Sequence, residues 1–159
     1  MDFPDFDLTD PELGNVRRWR DYDTIINAAA YTAVDAAESA EGRVQAWAIN
    51  VTAMAGLARL ATENGITLVH VSSDYVFDGT SELPYREDYP VSPLGVYAQT
   101  KAAGDQIVAA VPRHYIVRTS WVIGDGPNFV RTMLSLAERG VNPSVVDDQF
   151  GRLTFTSDL

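Results

Sequence analysis

Short apolar runs alternate along this chain with longer segments of helical spacing. That alternation predicts an α/β fold built on a parallel sheet. Thr24 to Ala28 (TIINA) and Ile66 to Ser72 (ITLVHVS) read as buried strands, Tyr115 to Thr119 as a third, and Ser144 to Val146 as a short fourth. Between the first two lies a helical stretch from about Ala37 to Glu63, with Trp47, Val51, Met54, Leu57 and Leu60 at helical spacing. Asn64-Gly65 closes it, as a glycine just past a helix should. Val96 to Ala110 and Asn128 to Arg139 are further helices, the second ended by Gly140. Asp10-Pro11-Glu12 opens a short helix running to Arg18, with Asp at the N-cap and Pro at the first helical position. Asp74 to Pro93 is a long segment rich in Gly, Pro, Tyr and acids. A loop of that length inside a compact domain is usually functional.

The ends of this pattern read as cut. Met1-Asp2-Phe3-Pro4 leads directly into Phe6-Asp7-Leu8-Thr9, which reads as the end of a strand with nothing before it. Thr156-Ser157-Asp158-Leu159 reads as a helix N-cap without its helix. The expectation is the central part of a longer domain, truncated at both ends.

Composition narrows the classes. With 12 basic and 22 acidic residues the formal charge is −10, so the chain repels phosphate backbones and nucleic acid is not an expected partner. The absence of cysteine excludes disulfide and thiol chemistry and fits a cytoplasmic location. No apolar run reaches the roughly 20 residues of a membrane span, so a membrane is not expected either. One count reaches further: the basic residues are eleven arginines and a single lysine, Lys101.

Lys101 stands four residues after Tyr97 on a predicted helix, so the two side chains share a face. A phenol is a poor acid at neutral pH, its ordinary pKa being about 10. A neighbouring ammonium stabilises the phenolate and makes proton transfer to a substrate oxygen feasible. The bland alternative is a surface lysine beside a half-buried tyrosine; the lysine's being unique weighs against it. Ser72-Ser73-Asp74-Tyr75 lies at the C-terminal end of a predicted parallel strand, the edge where open α/β sheets bind ligands. Hydroxyls there can hydrogen-bond a carbonyl oxygen, or simply cap the turn. Small residues in Asn27-Ala28-Ala29-Ala30-Tyr31-Thr32 allow close approach of a ligand to the backbone, or tight packing. Asn50, mid-helix among apolar neighbours, needs partners if buried. Trp121 suits stacking on a sugar or ring, or plain core. His70 reads as core rather than ligand, His114 as surface, and Asp147-Asp148 as turn residues. No metal-ligand constellation is apparent.

Taken in order, these segments resemble the extended short-chain dehydrogenases/reductases, and within them the dTDP-4-dehydrorhamnose reductase family. The resemblance runs through Asp7-Leu8-Thr9-Asp10, Ile26 to Asp35 (INAAAYTAVD), Ala48-Ile49-Asn50 and His70 to Gly79 (HVSSDYVFDG). It continues through Ser92 to Tyr97 (SPLGVY), Arg118 to Trp121 (RTSW) and Asp147 to Gly151 (DDQFG). The SSDYVFDG and TAVDAAE stretches are specific to this subgroup, whereas Tyr-x-x-x-Lys marks only the superfamily. The resemblance implies a Rossmann-like, doubly wound parallel sheet with helices on both faces, forming part of an NAD(P)-binding domain. It implies reduction of the C4 keto group of dTDP-4-dehydro-β-L-rhamnose by NADPH or NADH. Tyr97 would protonate the developing alkoxide. Lys101 would lower the phenol's pKa and hold the nicotinamide ribose, and Ser73 would hydrogen-bond the keto oxygen. Asp74, Tyr75 and Trp121 would line the sugar pocket. Asp7 and Leu8 would meet the adenine, Ala28, Ala29 and Tyr31 the cofactor's phosphates and ribose, and Thr119 the nicotinamide; Asn50 would organise the cofactor side of the site. The family's Gly-rich first turn is not in this sequence, whose first glycine is Gly14 in a helical context. Other readings share these residues: an epimerase or dehydratase acting on a nucleotide sugar, or a non-catalytic regulatory subunit of the same fold. The resemblance leaves a homodimer open.

Overall fold

The computed structural model describes residues 6–159, which separate into a larger unit ending at Arg118 and a smaller one running Thr119–Leu159. In the larger unit, β1 (Thr24–Asn27), β2 (Thr67–Ser73) and β3 (His114–Thr119) form a sheet in the order β1-β2-β3. β1 and β2 run parallel, with Thr24 opposite Thr67 and Asn27 opposite His70. A parallel neighbour requires a crossover. Here α1 (Ala40–Trp47) and α2 (Ala53–Asn64) supply it, and α3 (Val96–Ala109) links β2 to β3.

The alternation of β2 explains its burial. Leu68, His70 and Ser72 point into the protein, while Thr67, Val69, Val71 and Ser73 are half-buried. Leu68 meets a core of Leu57, Leu60 and Ala61 from α2, Val108 and Val111 at the end of α3, and Leu13 and Trp19 from the N-terminal segment. Each large aliphatic side chain buried this way contributes about 1.5–3 kcal/mol relative to exposure. On the sheet's other face Ile26 is 71% exposed and Tyr115 65%.

The single long helix expected between the first two strands is continuous in path but not in type. Between α1 and α2 lies a π-turn, Ala48–Thr52, closed by the Ala53 N–H on the Ala48 carbonyl. Gly65 ends α2 in the left-handed conformation (φ 66°) that a glycine adopts without steric cost.

Three local expectations fail. The helix expected over Asp10–Arg18 is only a 3₁₀ turn, Leu13–Asn15, and Phe6–Thr9 is a turn rather than a strand end. The acidic side chains bond locally instead: Asp7 accepts from the Thr9 N–H and hydroxyl, both at 2.8 Å, and Asp10 from the Glu12 N–H at 2.8 Å. Met1–Pro4 lie outside the described residues. No strand forms at 144–146.

The smaller unit pairs β4 (Val122–Ile123) with β5 (Thr154–Phe155), in parallel, and carries α4 (Phe129–Glu138). β5 takes the place of the expected strand because Thr154 bonds to the chain twice over. Its hydroxyl donates to the Ser120 carbonyl at 2.6 Å, and its N–H donates to the Trp121 carbonyl at 3.2 Å. Asn128 caps α4, accepting from the Arg131 N–H at 3.1 Å. The expected cap at Thr156-Ser157-Asp158 is a 3₁₀ turn.

Candidate active site

The C-terminal end of β2 delivers Ser73, Asp74 and Tyr75 to one edge of the sheet, and α3 passes over that edge. Helical spacing puts Tyr97, Lys101 and Asp105, at i, i+4 and i+8, along one side of α3. Tyr97 packs edge-on against Tyr75, their ring centres 5.9 Å apart, with the Ser73 hydroxyl near enough to bear on its phenol. The Ser73 hydroxyl also accepts from the Tyr75 N–H at 3.2 Å and lies 3.3 Å from an Asp74 carboxylate oxygen. Burial pushes the Tyr97 phenol above its ordinary pKa; the Ser73 hydroxyl pulls it back, while Asp74 and Tyr75 push it up. A group that is to donate a proton must hold one at rest, and these forces keep the phenol protonated.

Lys101 does not reach into solvent. It is 2% exposed, and its Nζ donates to the Val71 carbonyl at 2.8 Å and stands 3.2 Å from His70 Nε2. Burial lowers its pKa to about 8, against the opposing charge of Asp105. Asp105 Oδ1 lies 3.9 Å from the same His70 nitrogen, and its Oδ2 pairs with Arg118 Nε of β3 at 3.1 Å. Burial raises the Asp105 carboxyl, while the nearby Ser72 hydroxyl and the charges of Arg118 and Lys101 lower it. Arg118 in turn donates to the Glu87 carbonyl at 3.3 Å and lies over the Phe77 ring at 5.3 Å, which ties the long loop to the sheet. His70 completes the set: it is 1% exposed, with Asn27 Nδ2 3.1 Å from its Nδ1. Burial first, then the charge of Lys101, lowers its pKa to about 3, so it is neutral over the working range.

Asn50 sits in the π-turn, buried, and is fully engaged. Its Oδ1 accepts from the Tyr31 N–H at 2.9 Å, and its Nδ2 donates to the Tyr31 carbonyl at 3.2 Å and to Thr100 Oγ1 at 2.9 Å. The Thr100 hydroxyl donates onward to the Tyr97 carbonyl at 2.7 Å. One amide thus fixes the loop after β1 to the turn of α3 that carries Tyr97. Gly104 permits the close approach: a Cβ there would lie 2.7 Å from the Asn50 carbonyl oxygen.

Ser73, Asp74, Tyr75, Tyr97 and Lys101 therefore come together as expected. Tyr31, like Tyr97, packs against the cluster of Ala37, Ala46 and Val96, and exposed Ala28 and Ala29 form the loop at the end of β1. Asp7 lies in the N-terminal turn, its carboxyl held below the usual range by the Thr9 N–H and hydroxyl; Leu8 packs onto the main core. Thr119 and Trp121 belong to the smaller unit. There Trp121 takes a left-handed conformation (φ 44°), rare for a bulky residue, with its ring 5.3 Å from Phe129. The residues the sequence did not flag are His70 as a polar partner, Asp105 and Thr100. The one signal for Asp105 was its spacing of four from Lys101. Among the described residues no group of three acidic or histidine side chains could hold a metal, and no helix is long and apolar enough to cross a membrane.

Of what a nicotinamide cofactor requires, the residues here fit the end that reacts. A buried lysine stands one helical turn from a phenol, a serine hydroxyl ends the strand beneath them, and small residues end the adjacent strand. No Gly-rich turn for its phosphates occurs among the described residues.

The chain is 47% identical over 134 residues to the dTDP-4-dehydrorhamnose reductase of Salmonella typhimurium, covering 83% of this chain and 44% of that protein. With the dTDP-4-dehydrorhamnose reductase of Mycobacterium tuberculosis the identity is 45%, covering 97% and 52%. The crystal structure of dTDP-4-dehydrorhamnose reductase from Bacillus anthracis in complex with NADP superposes with a TM-score of 0.87 at 37% identity, covering 96% of this chain and 55% of that one. The chain spans about half the length of the relatives it matches. The family model described as the RmlD substrate binding domain matches residues 2–159, and the chain belongs to that family.

Proposed function

We propose that this chain carries the catalytic centre of a dTDP-4-dehydrorhamnose reductase, which reduces the C4 ketone of dTDP-4-dehydro-β-L-rhamnose to the alcohol of dTDP-L-rhamnose. The observation that carries this reading is the packing of Tyr97 on Tyr75 at the end of β2, where Ser73 also lies, with Lys101 one turn further along α3. NADPH or NADH supplies the hydride. Ser73 donates a hydrogen bond to the ketone oxygen, and Tyr97 gives its proton to that oxygen as negative charge develops there. Lys101, held from behind by Val71 and His70, stabilises the phenolate left on Tyr97 and binds the ribose of the cofactor. Ala28, Ala29 and Tyr31 at the end of β1 face the cofactor, with Asn50 fixing the Tyr31 backbone, and Asp74 and Tyr75 contact the sugar. Asp7, Leu8, Thr119 and Trp121 are carried as binding residues on the resemblance alone.

The test is Tyr97→Phe in the protein that contains this chain, followed by NADPH oxidation with the keto sugar. Turnover should fall by about 10²–10⁴-fold with cofactor binding retained. Unchanged turnover removes Tyr97 from the acid role. Product analysis over a panel of dTDP- and UDP-sugars separates a reductase from an epimerase or dehydratase.

A further inference from the structure

The hydrogen-bond roles around His70 can be worked out from one group whose role is fixed. The Ala29 backbone N–H can only donate, and it lies 3.2 Å from Asn27 Oδ1. That sets the Asn27 amide: its oxygen faces Ala29 and its Nδ2 faces His70 Nδ1, at 3.1 Å. His70 Nδ1 therefore accepts. A neutral imidazole carries one proton, so that proton is on Nε2. His70 Nε2 stands 3.2 Å from Lys101 Nζ. An ammonium there would set N–H against N–H, whereas a neutral amine would accept from His70. The Val71 carbonyl, 2.8 Å from the same nitrogen, takes an N–H from either form.

We propose that His70 is a positioning residue for Lys101: locked by Asn27 as its Nε2–H tautomer, it presents a donor to the lysine nitrogen and makes the ammonium a readier acid than an ordinary lysine, while leaving it the main form at neutral pH, as the Tyr97 phenolate requires. The other groups facing this pair are few. Asp105 on α3 lies 3.9 Å from His70 Nε2, too far for a hydrogen bond, and its charge favours both the Nε2–H and the ammonium. Arg118 of β3 offsets that charge through its pair with Asp105, and the Ser72 hydroxyl of β2 lies near the same carboxylate. Tyr97 lies one turn back on α3. For its consequence in turnover the proposal rests on the reductase reading; the titration of Lys101 does not.

The chain's single lysine makes the test direct. This 159-residue chain grown on ¹³C-lysine gives one side-chain ε-methylene signal, and in it ¹⁵N-histidine labels only His70 and His114. His70 should show the Nε2–H signature from about pH 5 to 9, and Lys101 should titrate well below the ordinary value of about 10.4. In His70→Gln the side chain can turn its amide oxygen to the ammonium, and the Lys101 midpoint should rise by about one pH unit or more. In Asn27→Asp the carboxylate accepts from both Ala29 and His70. The proton should then move to Nδ1, which the ¹⁵N shifts report separately from any effect of the added charge. An Nδ1–H tautomer in the unsubstituted protein overturns the proposal, and so does a Lys101 midpoint near 10.4 that His70→Gln leaves in place. If neither variant folds, the unsubstituted protein's tautomer still decides. Unchanged turnover in Tyr97→Phe, together with the expected lysine titration, would remove the reductase reading and leave this one standing.

Discussion

Asn50→Asp changes one amide nitrogen to oxygen and almost nothing in shape, yet it attacks the join between the β1 loop and α3. Of the three hydrogen bonds that Asn50 makes, only the one accepted from the Tyr31 N–H survives. The Tyr31 carbonyl, 3.2 Å away, can only accept. Thr100 Oγ1, at 2.9 Å, has already given its hydrogen to the Tyr97 carbonyl, so it too presents a lone pair. Two acceptors would then face a buried carboxylate. Two lost hydrogen bonds at about 1 kcal/mol each, and a charge placed in a dry site, give a loss of about 3–4 kcal/mol at pH 7. For a chain of this length that is a fall in Tm of about 10 °C. The new carboxyl has no donor but Tyr31, so its native pKa lies above the unfolded value of about 3.9. The sign follows: the native state binds the extra proton, so the deficit shrinks as pH is lowered through the native pKa. Urea unfolding of both proteins at pH 5 and pH 8 measures this, because contributions common to both cancel in the difference. A loss under about 1 kcal/mol, or a deficit equal at the two pH values, would refute the assignment of Asn50 as the join.

Two further outcomes follow from the same network. His70 is buried neutral with its pKa near 3 against an ordinary 6.5, so the unfolded chain binds more protons between those values. Stability should fall as pH drops from about 6.5 toward 3, by an amount on the order of 4 kcal/mol; His70→Phe should flatten that slope, and Asp105, whose carboxyl is raised, contributes in the opposite direction. Gly104→Ala places a methyl 2.7 Å from the Asn50 carbonyl oxygen, which is backbone and cannot swing away; a loss of about 1–3 kcal/mol in urea unfolding is expected, and no loss would mean that α3 is free to shift.

Much of this site was legible because it is local in sequence. Tyr97 and Lys101 share a helix face by spacing alone, and Ser73 sits where a buried apolar run gives way to polar residues. β1, β2 and α3 announced themselves through period and through flanking glycines. His70 did not. A histidine inside an apolar strand looks like core, and its partners Asn27, Lys101 and Asp105 arrive from β1 and α3 only on folding. Asp105 was hidden for the same reason, its pairing with Arg118 being made across α3 and β3. The π-turn left no mark because residues 48–52 suit an α-helix equally well; the demand for it comes from Asn50 reaching Tyr31. At the N-terminal end Asp10 was read as a cap for a helix. Its carboxylate instead closes a turn on Glu12, and nothing beyond Leu13–Asn15 becomes helical.

The π-turn also sets how this chain can change in length. A turn closed by an i to i+5 bond holds one residue more than the α-helical path it replaces. Losing a single residue within 48–52 would therefore restore an unbroken α-helix with its two halves nearly in phase, whereas losing one from regular helix on either side would rotate the halves against each other by about 100°. In that second case either Leu57, Leu60 and Ala61 would leave the main core, or Gly42 and Ala46 would leave their own contacts. A surface helix can ordinarily absorb a phase error at its free end. This one is anchored on both sides of Asn50, so these five positions are where it can lose a residue and keep both anchors, at the cost of the hydrogen bonds by which Asn50 holds Tyr31.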